Sequence, residues 1–132
     1  MYGLAAWALA VERRDGPVAL ALTRQKLPVL AGTAEKAREG LRRGGYVLRD
    51  PAGAGDPDLI LIATGSELQL AFAAAENLEA DGIRARVVSL PCWETFELQD
   101  QAYRDSVLPP SDRKSTRLNS SHEVPSRMPS SA

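Results

Sequence analysis

Residues 59–90 place an amphipathic helical stretch between two apolar strand-like runs, and few folds can bury all three. Leu59-Ile60-Leu61-Ile62-Ala63-Thr64 stays apolar up to its last residue, as a strand covered on both faces requires. Beyond Gly65-Ser66-Glu67, the residues Leu68, Ala71, Phe72, Ala75 and Leu78 recur at helical spacing and define one apolar face. Asp81-Gly82 supplies a helix stop, and Ile83 to Leu90 reads as the second strand. The order predicts a right-handed βαβ unit in an α/β fold, with a mostly parallel sheet and flanking helices. Ser66 is the expected helix cap, and Glu67 suits the positive end of the helix dipole. A helix start of this kind can also bind an anion through its free N–H groups. Here a single glycine, no lysine and an acidic first turn favour simple capping over a phosphate loop.

Upstream, Leu4 to Arg14 is Ala-rich and predicts a helix closed by Asp15-Gly16-Pro17. Val18 to Leu22 is a short continuous apolar run that suits a buried parallel strand. It ends at Thr23-Arg24-Gln25. Polar residues at the carboxyl end of such a strand stand where α/β folds place ligand contacts, which makes Arg24 the candidate binding residue. Its planar guanidinium can bond two phosphate oxygens at once and stays charged at any physiological pH. An arginine paired with a carboxylate at a sheet edge is the other reading that position alone leaves open. Pro28 disfavours helix around it, Thr33 can cap a short helix from Ala34 to Leu41, and Gly44-Gly45 marks a boundary. Tyr46 to Arg49 then opens a new domain with a strand, and residues 51–57 form a Gly- and Pro-rich loop.

Past the second strand, residues 91–108 predict one or two short helices. Trp93 and Phe96 are expected as core contacts, Cys92 as a partly buried small residue, and Glu94, Glu97, Asp100 and Asp105 as a solvated helical face. The single cysteine excludes an internal disulfide. No apolar run reaches the roughly 20 residues of a membrane span, and charges of both signs are interspersed, so neither a membrane nor a nucleic acid is an expected partner. A cytoplasmic location is the expectation.

From Asp112 onward no hydrophobic period remains, and a disordered C-terminal tail is expected. DRKSTRLNSSH and SRMPSSA resemble, in one frame and in order, the translation of a sequencing-library adapter, so residues 112–132 read as a non-native appendage. His122, the only histidine, lies there. The remainder can hold no Ser-His-Asp triad, Cys-His pair or histidine-rich zinc site.

The segments VALALTRQKLPVL, GGYVLRD, LILIATGSE, ARVVSLPCWETFELQD and AYRDSVLPP resemble consecutive stretches of the transketolase family. The resemblance implies that residues 1–26 end a pyrimidine-binding domain, 27–44 form a linker with a short helix, and 45–111 begin the family's C-terminal domain. It further implies an intact homodimeric enzyme that moves a two-carbon ketol unit between sugar phosphates, using thiamine diphosphate held by Mg2+. Arg24 matches the family arginine that binds substrate phosphate. No residue here matches the family's Gly-Asp-Gly metal motif, its active-site histidines or its activating glutamate. The chain is therefore expected to supply no catalytic, cofactor or metal ligand and to be inactive alone. Another thiamine enzyme of the same domain order, such as deoxyxylulose-phosphate synthase, and a non-catalytic α/β binding module are the alternatives.

Overall fold

The computed structural model describes residues 2–110 and 116–117. Two helices, α1 (Tyr2–Glu12) and α2 (Thr33–Arg42), precede strand β1 (Tyr46–Arg49). Strand β2 (Leu59–Ala63), a 3-10 turn (Gly65–Glu67), helix α3 (Leu68–Ala80) and strand β3 (Ala85–Ser89) follow. Helices α4 (Trp93–Glu97) and α5 (Gln101–Val107) and a two-residue strand, β4 (Thr116–Arg117), complete the order.

The sheet runs β1-β3-β2-β4. β2 and β3 pair in parallel from Leu59–Ala85 to Ala63–Ser89, the pairing expected of a βαβ unit. β1 is antiparallel to β3, with an irregularity between Val47 and Arg49. Thr116 and Arg117 pair in parallel with Leu61 and Ile62. The rest of the stretch read as an appended tail lies outside the described residues.

Both faces of the sheet are covered. On one side α3 and α2 pack over Tyr46, Leu48, Leu61, Ala63, Ala85 and Val87, with Ala71 and Ala75 of α3 fully buried against them. On the other side Phe96 of α4 and Val107 of α5 cover Ile60, Val88 and Leu90. Burying a side chain such as Ile60, Val87 or Val88 contributes about 1.5–3 kcal/mol each. Phe96 enters the core as expected. Trp93 does not: it is 40% exposed and donates from Nε1 to Glu97 Oε1 at 2.5 Å.

Local stops and starts are physical. At the end of α3 the Gly82 N–H reaches Glu79 O at 3.0 Å and the Ile83 N–H reaches Leu78 O at 2.9 Å, a Schellman closure with Gly82 at φ 81°. At its start Ser66 makes no capping hydrogen bond. The chain instead tightens into the 3-10 turn, with Glu67 N–H donating to Thr64 O, which consumes a free amide without a side chain. Thr33 likewise is not a cap: it is the first residue of α2, behind Gly32 in a left-handed conformation. The cap that does form was not foreseen. Asp100 Oδ1 accepts from Tyr103 N–H at 2.7 Å at the start of α5.

Val18–Leu22 forms no strand. Val18 and Leu22 are exposed, and no described strand pairs with the run. An apolar run becomes a strand only when neighbouring strands take up its N–H and C=O groups, and the described residues offer none.

Two polar clamps tie the antiparallel strand β1 to its surroundings. Arg86 of β3 donates to Asp50 Oδ1 at 2.6 Å and to the carbonyls of Ser106 and Val107 at 2.9 and 3.3 Å, joining the end of β1 to the end of α5. Arg49 pairs with Glu79 of α3 and lies over the Phe72 ring, and Glu79 also accepts the Ala52 N–H at 3.0 Å. The Arg86→Met variant keeps the apolar stem and loses the three bonds. It should lower stability by about 2 kcal/mol in urea unfolding, whereas Asp50→Asn, at a half-exposed carboxylate, should cost under about 1 kcal/mol.

Tyr103 supplies a third tie, its hydroxyl donating to Gly45 O at 2.8 Å, with Arg43 above its ring. Burial pushes the Tyr103 hydroxyl above its ordinary value of 10.0, Arg43 opposing and Glu39 reinforcing the shift. The folded state therefore holds this proton more tightly than the unfolded state. Its contribution is complete below pH 10 and is lost as pH rises through the raised value. Urea midpoints measured on either side of pH 10 should fall less steeply for Tyr103→Phe than for the parent chain.

Candidate functional site

The irregular segment between α1 and α2 borders a cleft of about 290 Å3 against the 3-10 turn. Its walls include Leu22, Thr23 and Thr33 from the segment side and Gly65, Ser66 and Leu68 from the turn and α3. The apolar run 18–22 and the Gly65-Ser66 helix start, forty residues apart in the chain, are thus brought to one place. Gly65 has φ 57°, and a Cβ there would meet open space, so the backbone of the turn faces the cleft uncovered.

Among the described residues no lysine, arginine, aspartate or glutamate lines this cleft. Among the lining groups Thr33 is unusual. It is only 3% exposed, and its Oγ1 has no hydrogen-bond partner. Sequence reasoning gave it a capping role, so nothing in the pattern flagged an unpaired hydroxyl. Only the packing of Leu30 and the start of α2 against the sheet shows it.

Arg24 follows the cleft residue Thr23 directly but does not line the cleft. It sits in a bend, exposed, where the Gln25 N–H donates to Thr23 Oγ1 at 3.2 Å. No carboxylate pairs with it among the described residues, so the sheet-edge ion pair is not formed. A solvated guanidinium with all its donors free is chemically able to take a phosphate.

The acidic side chains after β3 are engaged locally. Glu94 and Glu97 accept from Cys92 and Trp93, Asp100 caps α5, and Asp105 accepts from Gln101 at 2.6 Å. Cys92 is partly buried, its Sγ 3.1 Å from Thr95 Oγ1. Among the described residues no group of three or more His, Cys, Asp or Glu side chains is placed to hold a metal ion.

With this geometry established, likeness to known proteins is informative. Residues 44–126 match the transketolase-like C-terminal domain family, an interval that runs past Ser111. The chain is 54% identical over 110 residues to the transketolase of Geobacillus stearothermophilus, covering 83% of this chain and 16% of that protein. It is 56% identical over 104 residues to transketolase 1 of Escherichia coli K12, covering 79% and 15%. The 110-residue match is longer than the stretch from residue 44 to the end of the chain, so it takes in residues ahead of the C-terminal domain.

Solved structures agree. Transketolase from Leishmania mexicana superposes with a TM-score of 0.71 at 40% identity, covering 80% of this chain and 15% of that one. Pichia stipitis transketolase, crystallised in complex with sedoheptulose-7-phosphate, gives 0.70 at 44% identity, covering 82% and 15%. The chain spans about 15% of the length of these relatives, and the order of its elements, the sheet with helices on both faces and the extent of the match together establish that it belongs to the transketolase family.

Proposed function

We propose that this chain is part of an enzyme that transfers a two-carbon ketol unit between sugar phosphates, and that Arg24 binds the phosphate of the substrate. The observation that carries the proposal is the 54% identity to a transketolase over 83% of the chain, which includes residues ahead of the C-terminal domain. Arg24 adds to it: an exposed arginine without a carboxylate partner retains its whole donor set for an anion.

A doubly bonded phosphate is held at a fixed distance from the reacting carbons, so Arg24 would position the substrate and leave the chemistry to other groups. Thiamine diphosphate, Mg2+ and a homodimer belong to the proposal for the whole enzyme, in which the cofactor supplies the carbanion chemistry. No step is assigned to this chain through them. Reading the chain as part of another thiamine enzyme, such as deoxyxylulose-phosphate synthase, finds no support in relatives that are transketolases. A cytoplasmic setting fits a chain in which no described helix is long and apolar enough to cross a membrane.

The domain division belongs to the same proposal. Residues 1–26 would end one domain, 27–44 link it, and 45–111 begin the next. Leu4, Trp7 and Val11 form an exposed apolar stripe on α1 at i, i+3 and i+7, and Val18, Leu22 and Val29 extend the exposed apolar surface. That surface suits cover by the preceding domain, which would also lend Val18–Leu22 its missing strand neighbours.

A chimera tests the role of Arg24. With residues of this chain replacing the matched segment of Escherichia coli transketolase 1, Arg24→Ala should raise the KM for a sugar-phosphate substrate about 10- to 100-fold, the worth of a charge-assisted bond or two. Turnover of an unphosphorylated sugar should hardly change. An equal loss on both substrates would remove phosphate binding as the role of Arg24.

A further inference from the structure

We infer that Lys26 is a second phosphate-positioning residue, whose ammonium takes the oxygen and the charge that Arg24 leaves unsatisfied; the inference rests on the phosphate reading of Arg24. The chain lines the cleft with Thr23 and again with Leu27, and Arg24 and Lys26, which lie between them, do not line it. The Gln25 N–H, donating to Thr23 Oγ1 at 3.2 Å, fixes the bend at Arg24, and both cations are exposed. Among the described residues no carboxylate pairs with either. From Gly16 to Ala34 the sequence holds these two cations and no acidic residue. Asp15, the nearest acid before that stretch, is taken up by Arg13 at 3.2 Å, and Glu35, the first after it, belongs to α2.

A phosphate monoester carries about −1.5 to −2 of charge near neutral pH and presents three acceptor oxygens. A guanidinium that bonds two of them supplies a single positive charge, so one oxygen and much of a second charge remain. An ammonium is the complement, a compact point charge with three rotatable donors and no fixed fork to align. Lys26 is placed to supply it. Two residues of chain span at most about 7 Å, and less across a bend, so two long side chains can converge on one anion. Without that anion the two like charges repel each other, and a bound dianion relieves the repulsion. The pair thereby favours a doubly charged phosphate over a singly charged group. Lys26, like Arg24, positions the substrate and takes no part in bond making.

The chimera that carries this chain's residues in Escherichia coli transketolase 1 provides the test. Lys26→Ala should raise the KM for a sugar-phosphate substrate about three- to tenfold at unchanged kcat, the worth of one exposed charge-assisted bond. The inhibition constant of inorganic phosphate should rise by a similar factor. Lys26→Arg keeps the charge and should stay within about twofold of the parent. Added salt should raise KM less steeply in Lys26→Ala, because one of the screened charges is gone. Should Lys26→Ala fail to fold, Lys26→Gln carries the same expectations. An unchanged KM, a loss confined to kcat, or a Lys26→Arg variant as impaired as Lys26→Ala would each overturn the role of Lys26. Arg24→Ala in the same chimera separates that outcome from failure of the phosphate reading: a KM raised there alone removes only Lys26, and a KM unmoved in both variants removes both residues.

Discussion

The structure depends on the parallel pairing of β2 with β3 and on the helix that makes that pairing possible. Two adjacent parallel strands must be joined by a crossover, and α3 is that crossover. Ala71 and Ala75 are buried completely where α3 meets the sheet, opposite Ala85 and Val87. Small side chains on both sides let the helix axis approach closely, and dispersion contacts grow with that approach. The opposite face is closed differently, by the larger Phe96 and Val107 on two short helices. Helices of one or two turns have little stability of their own in water, so α4 and α5 persist because their apolar groups are buried on β3.

Around this centre, polar groups decide how the remaining elements attach. β1 is short, antiparallel and irregular in pairing, and it would be a weak edge without Arg86, Arg49 and Tyr103. Arg86 of β3 and Tyr103 of α5 reach to the residues that flank β1, and Arg49 at its end reaches out to Glu79 of α3, so the strand is tied at both termini. Glycine makes the attachment of α2 possible. A Cβ on Gly40 would lie 2.1 Å from the Tyr46 ring, and one on Gly44, at φ 80°, would lie 2.4 Å from the Cys92 carbonyl. No side chain fits either place without moving backbone or an aromatic ring.

The N-terminal third follows other rules. α1 is held to α2 by Glu12, which accepts from Arg42 at 2.5 Å and stands 3.8 Å from Arg38, an exposed arrangement that adds little stability. Its apolar stripe and the run 18–22 remain in solvent. The strand expected at Val18–Leu22 did not form there. Apolar composition states that a segment needs cover. It does not state that the cover is present in the same chain.

The amino-acid order by itself determined the βαβ unit, the Schellman stop at Gly82, the strand at Tyr46–Arg49 and the placing of Phe96 in the core, because each rests on local periodicity or on one glycine's backbone freedom. It also marked the family, through ordered segments. Tertiary structure alone decided that β1 runs antiparallel, that Ser66 and Thr33 do not cap, and that Asp100 does. It alone put Thr33 and the Gly65-Ser66 turn around one cleft. The antiparallel pairing and the cleft depend on which groups meet across thirty or more residues of chain, the caps turn on the backbone geometry at each helix start, and neither leaves a period in a sequence from which it could be read.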